Sequence, residues 1–295
     1  MSIAPELSAE EQETRNPERR GIKKGLYLIP SAFTAANISM GFFAVMAALR
    51  GFQIVDEGGA AEMQRAAEHF DNAAKAICWA VLFDMLDGRI ARMTKTTTEI
   101  GVQFDSIADV LTFGIAPAVL AYAWGYGSAL PEGGWAHKLG WFLSFMYLMC
   151  GAFRLARFNV QAARPRVIAE GTGKVDKKNF VGLPIPPAAA LIAAIIHFAP
   201  RPLIQYEPRL ANLYSGLMMG LVGCLGLLMV STLRYSSFKT VGTRSRSARL
   251  AILLVAAVGM LIYLFSEYVL LILVSLYVLH GVLMKLGSLF RRRSA

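Results

Sequence analysis

The chain has 295 residues, of which 55% are hydrophobic, and it carries a formal net charge of +10. This apolar fraction exceeds that of ordinary soluble domains and indicates an integral membrane protein. Its basic residues are dispersed through the loops between apolar segments, which excludes a compact nucleic-acid-binding surface.

Eight apolar segments approach the length of about 20 residues that a helix needs to cross a bilayer. They predict an all-α, polytopic bundle of about eight transmembrane helices, with a six-helix core and a C-terminal helical hairpin. A short turn at residues 265–267 would make the last two helices neighbours. The segments are 27–49, 71–92, 101–124, 139–160, 181–199, 211–233, 248–265 and 267–288.

The composition divides the chain into three parts. Residues 1–22 are charged and non-periodic, and we expect a cytoplasmic tail that is disordered or lies on the membrane surface. Residues 23–233 form the predicted membrane core. Residues 234–295 form the predicted transmembrane hairpin and a basic tail.

The loops of the predicted bundle differ in charge. Five basic residues precede the first span and five lie between the fourth and fifth, whereas residues 51–72, predicted as a loop, carry five acids against Arg65 alone. By the positive-inside rule, both termini face the cytoplasm, and the expected location is the bacterial inner membrane. The basic loops would also attract anionic lipids, so we expect membrane lipids as partners and no nucleic acid.

Four aspartates interrupt the apolar sequence between Val81 and Val119. They are Asp84, Asp87, Asp105 and Asp109. An ionised carboxylate at bilayer depth costs about 3 kcal/mol or more, so four together need a compensating partner. The i, i+3 and i, i+4 spacings place each pair on one helix face. Hard oxygen ligands suit Mg²⁺, Ca²⁺ or Mn²⁺, so the register predicts a divalent-metal site.

A second interpretation pairs these acids with basic residues at the water interface. Arg89, Arg92 and Lys95 are close enough in sequence to serve. For any single aspartate this interpretation is about as good as metal binding. For all four in this register, metal binding is favoured.

The residues from Asp84 to Asp109 read D-x2-D-G-x2-A-R-x8-G-x3-D-x3-D. This run resembles the signature of the CDP-alcohol phosphatidyltransferases and matches it at every fixed position. The stretches 154–159 and 179–188 resemble segments of the family members that use L-serine as acceptor. Residues 28–37 are also similar, and the resemblance extends over about 29–232.

The resemblance implies an enzyme that transfers the phosphatidyl group from CDP-diacylglycerol to the hydroxyl of L-serine and releases CMP. It implies Mg²⁺ or Mn²⁺, as two divalent ions held by the four aspartates, with Asp109 also the general base. It implies a homodimer as well. The predicted donor-binding residues are Thr34, Asn37, Asp84, Asp87, Gly88, Ala91, Arg92, Gly101 and Asp105.

Several of these donor residues have alternative interpretations. Gly88, Ala91 and Gly101 are small, as close approach of a nucleotide requires. Arg92 pairs equally well with a phosphate or with an aspartate. Thr34 and Asn37, polar residues in an apolar span, face the nucleotide or form hydrogen bonds between helices or to the i−4 carbonyl.

The predicted acceptor site lies at the cytoplasmic end of the fourth span. Arg154 and Arg157 could bind a carboxylate through a bidentate fork, with Asn159 as a further polar group. Ordinary interfacial placement of the two arginines is the alternative.

Two other functions remain open. A sibling enzyme would use glycerol 3-phosphate or inositol phosphate as acceptor. A cation-coupled transporter would place its acids near the bilayer midplane, often between repeated halves, and the sequence has no matching halves.

Overall fold

The computed structural model describes residues 17–94, 99–163, 179–231, 233–236 and 245–293. Its helices are α1 (Pro17–Glu57), α2 (Ala60–Thr94), α3 (residues 99–129), α4 (Trp135–Ala163), α5 (Ile185–Phe198), α6 (Pro208–Val230) and α7 (Ser245–Arg293). Helix α3 is composite, with π-helical segments at Val110–Ile115 and Tyr122–Tyr126. A 3₁₀ turn occupies Leu203–Gln205.

The helices confirm the prediction of an all-α polytopic membrane protein. Six segments of the described residues are long and apolar enough to cross a membrane: Ala32–Glu57, Gly101–Ala129, Trp135–Val160, Ile185–Gln205, Pro208–Val230 and Ala256–Gly281. Helix α2 has the length to span, with 35 residues, but it carries the charged residues of the aspartate run. Composition alone therefore does not identify α2 as a span.

The predicted loop at residues 51–72 is almost entirely helical, so that prediction was wrong. Only Gly58 and Gly59 separate α1 from α2, and both have positive φ angles (71° and 100°) that favour glycine. Asp56, Glu57 and Glu68 are exposed on the helix surfaces, while Val55 and Phe70 are buried between the helices. The acidic composition marks the outer faces of two long helices rather than a loop.

Where a short turn was predicted at residues 265–267 between two spans, α7 contains a break. The backbone leaves helical geometry at Phe265 (φ −138°, ψ 48°). Beyond the break, Ser266 forms a hydrogen bond with His197 at the end of α5. The predicted tail lies mostly outside the described residues, since the description begins at Pro17.

Two short strands join the beginning of α5 to the end of α6. Strand β1 (Asn179–Val181) pairs antiparallel with β2 (Arg234–Ser236), with Phe180 opposite Tyr235. The Gly182 N–H donates to the Leu233 carbonyl at 2.8 Å and extends this connection. The pairing was not predicted, because three residues are too few to show an alternating pattern.

Close packing of small residues brings α1 against α3 near the aspartates. A Cβ atom added at Gly41 would lie 2.4 Å from Thr112 Oγ1 and 2.8 Å from Thr112 Cα. Ala44 and Ala48 on α1, and Ala73 on α2, are fully buried in the common core. Small side chains at these contacts let the backbones approach closely, which fixes α1 beside the helices that carry the acids.

Candidate active site

Three of the four motif aspartates converge between α2 and α3. One ligand oxygen from each of Asp84, Asp105 and Asp109 lies within 4.8 Å of the others. Asp109 is only 8% exposed, and the other two are half-buried. Such a spacing lets one cation contact all three carboxylates, as the helical register predicts.

The fourth aspartate has a different partner. Asp87 is 6% exposed and accepts a hydrogen bond from the Thr34 hydroxyl on α1. It is nevertheless close enough to Asp105 for their negative charges to repel. Asp87 therefore lies beside the three-aspartate cluster and connects it to α1. Thr34 forms a hydrogen bond between helices, which is one of the alternatives predicted for this residue from the sequence.

Two buried polar groups beside the cluster lack hydrogen-bond partners within the described part of the chain. Asp109 Oδ1 has none, and neither amide atom of Asn37 has one, although that residue is only 1% exposed. The Thr112 hydroxyl, three residues after Asp109, donates to the backbone carbonyl of Asn37 at 3.2 Å. Because buried polar groups are normally paired, these two positions are suited to a ligand or an ion.

The donor set fits a hard divalent cation. Three carboxylates held this close repel one another strongly unless positive charge lies among them. Mg²⁺ and Mn²⁺ prefer carboxylate oxygens, and the unpartnered Asp109 oxygen provides one such ligand atom. The cluster can therefore hold a metal, whose identity the donor atoms alone do not select.

A cationic group lies on the α4 side of the cluster. Arg154 is half-buried and close enough to Asp109 for their charges to attract. Its buried Nε has no hydrogen-bond partner among the residues described. Arg157, one turn further along α4, is also half-buried and repels Arg154 electrostatically. The structure thus brings the predicted base and a predicted acceptor residue to one place.

A hydrogen bond from Asn159 connects the C-terminal part of α4 to α3. Its side-chain nitrogen donates to the Ser106 hydroxyl at 2.9 Å, and that hydroxyl donates in turn to the Val102 carbonyl at 3.0 Å. Ser106 directly follows Asp105, so the contact joins the acceptor helix to the aspartate helix. Asn159 was predicted to bind serine, and its carbonyl oxygen remains an additional acceptor for a ligand.

The helical geometry changes at the site itself. The π-helical segment Val110–Ile115 begins directly after Asp109 and contains the buried Thr112 and Phe113. The Phe113 carbonyl accepts a hydrogen bond of 3.0 Å from the Tyr147 hydroxyl on α4. π-Helical turns occur frequently at functional sites. This one sets the direction of the chain immediately after the predicted base.

The remaining predicted residues are less fully defined. Gly88 is half-buried on α2, and Gly101 is exposed near the beginning of α3. The side chains of Ala91 and Arg92 lie outside those described. Ser106 and Thr112 were missed, although each is a polar residue on an aspartate-bearing helix. Tyr277, whose phenol group is within electrostatic range of Arg154, was also missed, because nothing distinguishes this tyrosine within an apolar span.

The sequence matches known proteins over most of its length. The model of the CDP-alcohol phosphatidyltransferase family matches residues 27–227. A CDP-diacylglycerol–serine O-phosphatidyltransferase of Helicobacter pylori is 33% identical over 227 residues, which cover 73% of this chain and 75% of the relative. A protein of the same name from Saccharomyces cerevisiae is 36% identical over 172 residues, or 58% and 54% of the two chains.

Proposed function

Because the chain belongs to the CDP-alcohol phosphatidyltransferase family, we propose that it transfers the phosphatidyl group of CDP-diacylglycerol to L-serine. The products are phosphatidylserine and CMP. The observation that carries the proposal is that the buried Asp109, a member of the aspartate cluster, lies close enough to Arg154 for their charges to attract. This arrangement offers a base for a hydroxyl and a cation for a carboxylate within one site.

The aspartates would hold the metal that the donor requires. Asp84, Asp105 and Asp109 are the ligands supported by the cluster, and Asp87, oriented by Thr34, would complete a site for two ions. Bound Mg²⁺ or Mn²⁺ would neutralise the pyrophosphate and the charge that develops on departing CMP. The Asn37 amide, buried without a partner, would then hydrogen-bond to the donor.

The remaining donor contacts follow from the family motif. Gly88, Ala91 and Gly101 would leave room for the cytidine, because their side chains are absent or small. Arg92 would pair with a donor phosphate.

Asp109 is the proposed general base. It accepts the proton of the serine hydroxyl as the serine oxygen attacks the β-phosphorus. A new oxygen–phosphorus bond forms, and the bond between that phosphorus and the CMP oxygen breaks. Burial around Asp109 excludes bulk water, which protects the donor from hydrolysis.

The choice of acceptor rests on the neighbouring arginine. In L-serine only two carbon atoms separate the hydroxyl from the carboxylate, so the groups that bind them must be close neighbours. Asp109 and Arg154 are close enough for their charges to attract, and Arg157 and Asn159 would add contacts from the same end of α4. Ethanolamine lacks the carboxylate, and we expect it to be rejected.

The location of the protein is part of the proposal. We expect a bacterial cytoplasmic membrane with both termini and the aspartates on the cytoplasmic side, supported by the basic loops. A homodimer is also proposed from the family resemblance.

The proposal can be tested with purified protein, CDP-diacylglycerol, and Mg²⁺ or Mn²⁺. Serine should yield CMP and phosphatidylserine, while ethanolamine, glycerol 3-phosphate and inositol phosphate should yield little CMP. Preferential use of glycerol 3-phosphate or inositol phosphate would instead assign a sibling enzyme. Cation flux without CMP release from any acceptor would favour a transporter.

Substitutions of the arginines test the acceptor site separately. Arg154→Lys should raise the serine KM about tenfold, because an ammonium cannot replace a bidentate guanidinium. The Arg154→Ala, Arg157→Ala double variant should retain binding of CDP-diacylglycerol. An unaltered serine KM in that variant would move the serine site elsewhere while keeping the enzyme.

A further inference from the structure

The C-terminal helix lies beyond the residues that match the family model, yet it is fixed to the core. Ser266 Oγ and His197 Nε2 share a hydrogen bond of 2.8 Å. His197 is 3% exposed, and its Nδ1 pairs with Asp71 of α2. The Tyr268 ring packs edge-on against Phe198, with centroids 5.5 Å apart. These contacts fix the position of the segment that follows the break in α7.

The same segment reaches the acceptor side of the site. From Ser266 to Tyr277 is 11 residues, a rise of about 17 Å along a helix. On α5, His197 and Ile185 are separated by 12 residues, or about 18 Å. Ile185 contacts α4 at Gly151, where an added Cβ would lie 2.5 Å from Ile185 Cδ1. Tyr277 therefore lies at the level of Gly151, one turn from Arg154.

Two further observations agree with this placement. Val278, next to Tyr277, is buried in the hydrophobic core that also contains Ile185. Tyr277 is half-buried and close enough to Arg154 for the two side chains to interact electrostatically. Tyr277 thus packs against the hydrophobic core, within electrostatic range of Arg154.

We propose that Tyr277 is a positioning residue of the serine site, acting through Arg154. With serine bound, its hydroxyl would accept a hydrogen bond from the guanidinium and hold the plane of that group, while the buried Nε stays available for the serine carboxylate. The C-terminal helix thereby completes an acceptor site whose other residues lie in the family core. This inference rests on the proposed function.

The test compares two tyrosines of α7 in the full-length protein. Tyr277→Phe removes the hydroxyl and keeps the ring, so the serine KM should rise about three- to tenfold. The kcat and the KM for CDP-diacylglycerol should stay within about twofold, because the aspartate cluster is untouched. Tyr263→Phe is the matched control, since Tyr263 is 83% exposed, and it should change none of these constants.

A second variant separates positioning from packing. Tyr277→Phe combined with Arg154→Lys should raise the serine KM less than the product of the two single effects, because both act on one contact. Additive effects would overturn the role of Tyr277. So would an unchanged serine KM in Tyr277→Phe, or an equal rise in the KM of both substrates. If the wild-type protein uses another acceptor in place of serine, the proposed function fails as well.

Discussion

Asn159 on α4 donates its side-chain amide to the hydroxyl of Ser106 on α3, at 2.9 Å and across 53 residues of sequence. The contact lies between the helix of the two arginines and the helix of Asp105 and Asp109. Together with the hydrogen bond from the Tyr147 hydroxyl to the Phe113 carbonyl, it links the two helices that carry the proposed base and the proposed carboxylate site. Its loss should affect catalysis more than folding, because Asn159 and Ser106 are both only partly buried.

The first prediction is that Asn159→Ala and Ser106→Ala have the same effect. Each removes the hydrogen bond between the two side chains, worth about 0.5–1.5 kcal/mol, and should lower kcat/KM for serine about three- to tenfold. The double variant should be no worse than either single variant, because both remove one interaction. Steady-state kinetics of the three variants measures the coupling. Fully additive losses would show that the two residues act separately.

The second prediction concerns the base. Asp109→Asn keeps the size of the side chain but removes its basicity, so kcat should fall by about 10²–10⁴. Binding of CDP-diacylglycerol, measured at equilibrium, should weaken far less. Asp56→Asn, at an exposed position near the end of α1, is the matched control and should leave kcat unchanged. Near-normal turnover in Asp109→Asn would place the base elsewhere.

The third prediction uses the unpartnered amide of Asn37. Asn37→Leu should leave thermal stability in detergent unchanged or raise it, since a buried polar group without a partner is replaced by an apolar one. The KM for CDP-diacylglycerol should nevertheless rise about three- to tenfold, because one hydrogen bond to the donor is lost. A destabilised variant with normal donor affinity would make Asn37 a structural residue.

The fourth prediction concerns the space beside the aspartates. Gly88→Leu should abolish binding of CDP-diacylglycerol, because the added side chain would occupy the space proposed for the nucleotide. Ala91→Leu should do the same. Gly216→Leu is a matched control, because nothing in the described structure lies within 4 Å of a Cβ added there. Unchanged donor affinity in a folded Gly88→Leu variant would contradict this position for the nucleotide.

The fifth prediction is a requirement for divalent metal. Excess chelator should abolish CMP release, and added Mg²⁺ or Mn²⁺ should restore it, because the close carboxylates need a cation to bind an anionic pyrophosphate. Activity is followed by CMP release before chelation, during it and after metal is added back. Full turnover in excess chelator would exclude the metal mechanism.

The aspartate cluster was predictable because its geometry is local. Spacings of three and four residues fix which carboxylates share a helix face, and a short connection makes the two helices neighbours. The pairing of Thr34 with Asp87 was harder to predict from the sequence, since it spans 53 residues and depends on how α1 packs. Sequence reasoning identified Thr34 as a polar residue of interest and left its partner open.

Other features depended on long-range packing that composition obscures. The acidic stretch before Asn72 was taken for a loop, because its charges hid the buried residues on the opposite helix face, such as Phe70. Tyr277 gave no signal, since an aromatic residue in an apolar span is ordinary. Its significance depends on the contact between His197 and Ser266, which joins residues 69 positions apart.

The two-residue connection at Gly58 and Gly59 has a consequence for biosynthesis. It lets α1 and α2 pair as soon as the first 94 residues have left the ribosome and entered the membrane, before Asp105 and Asp109 are made. Asp87 can therefore gain its Thr34 partner early, while only two of the four acids are present. We expect the nascent chain to acquire full metal affinity only after α3 is inserted.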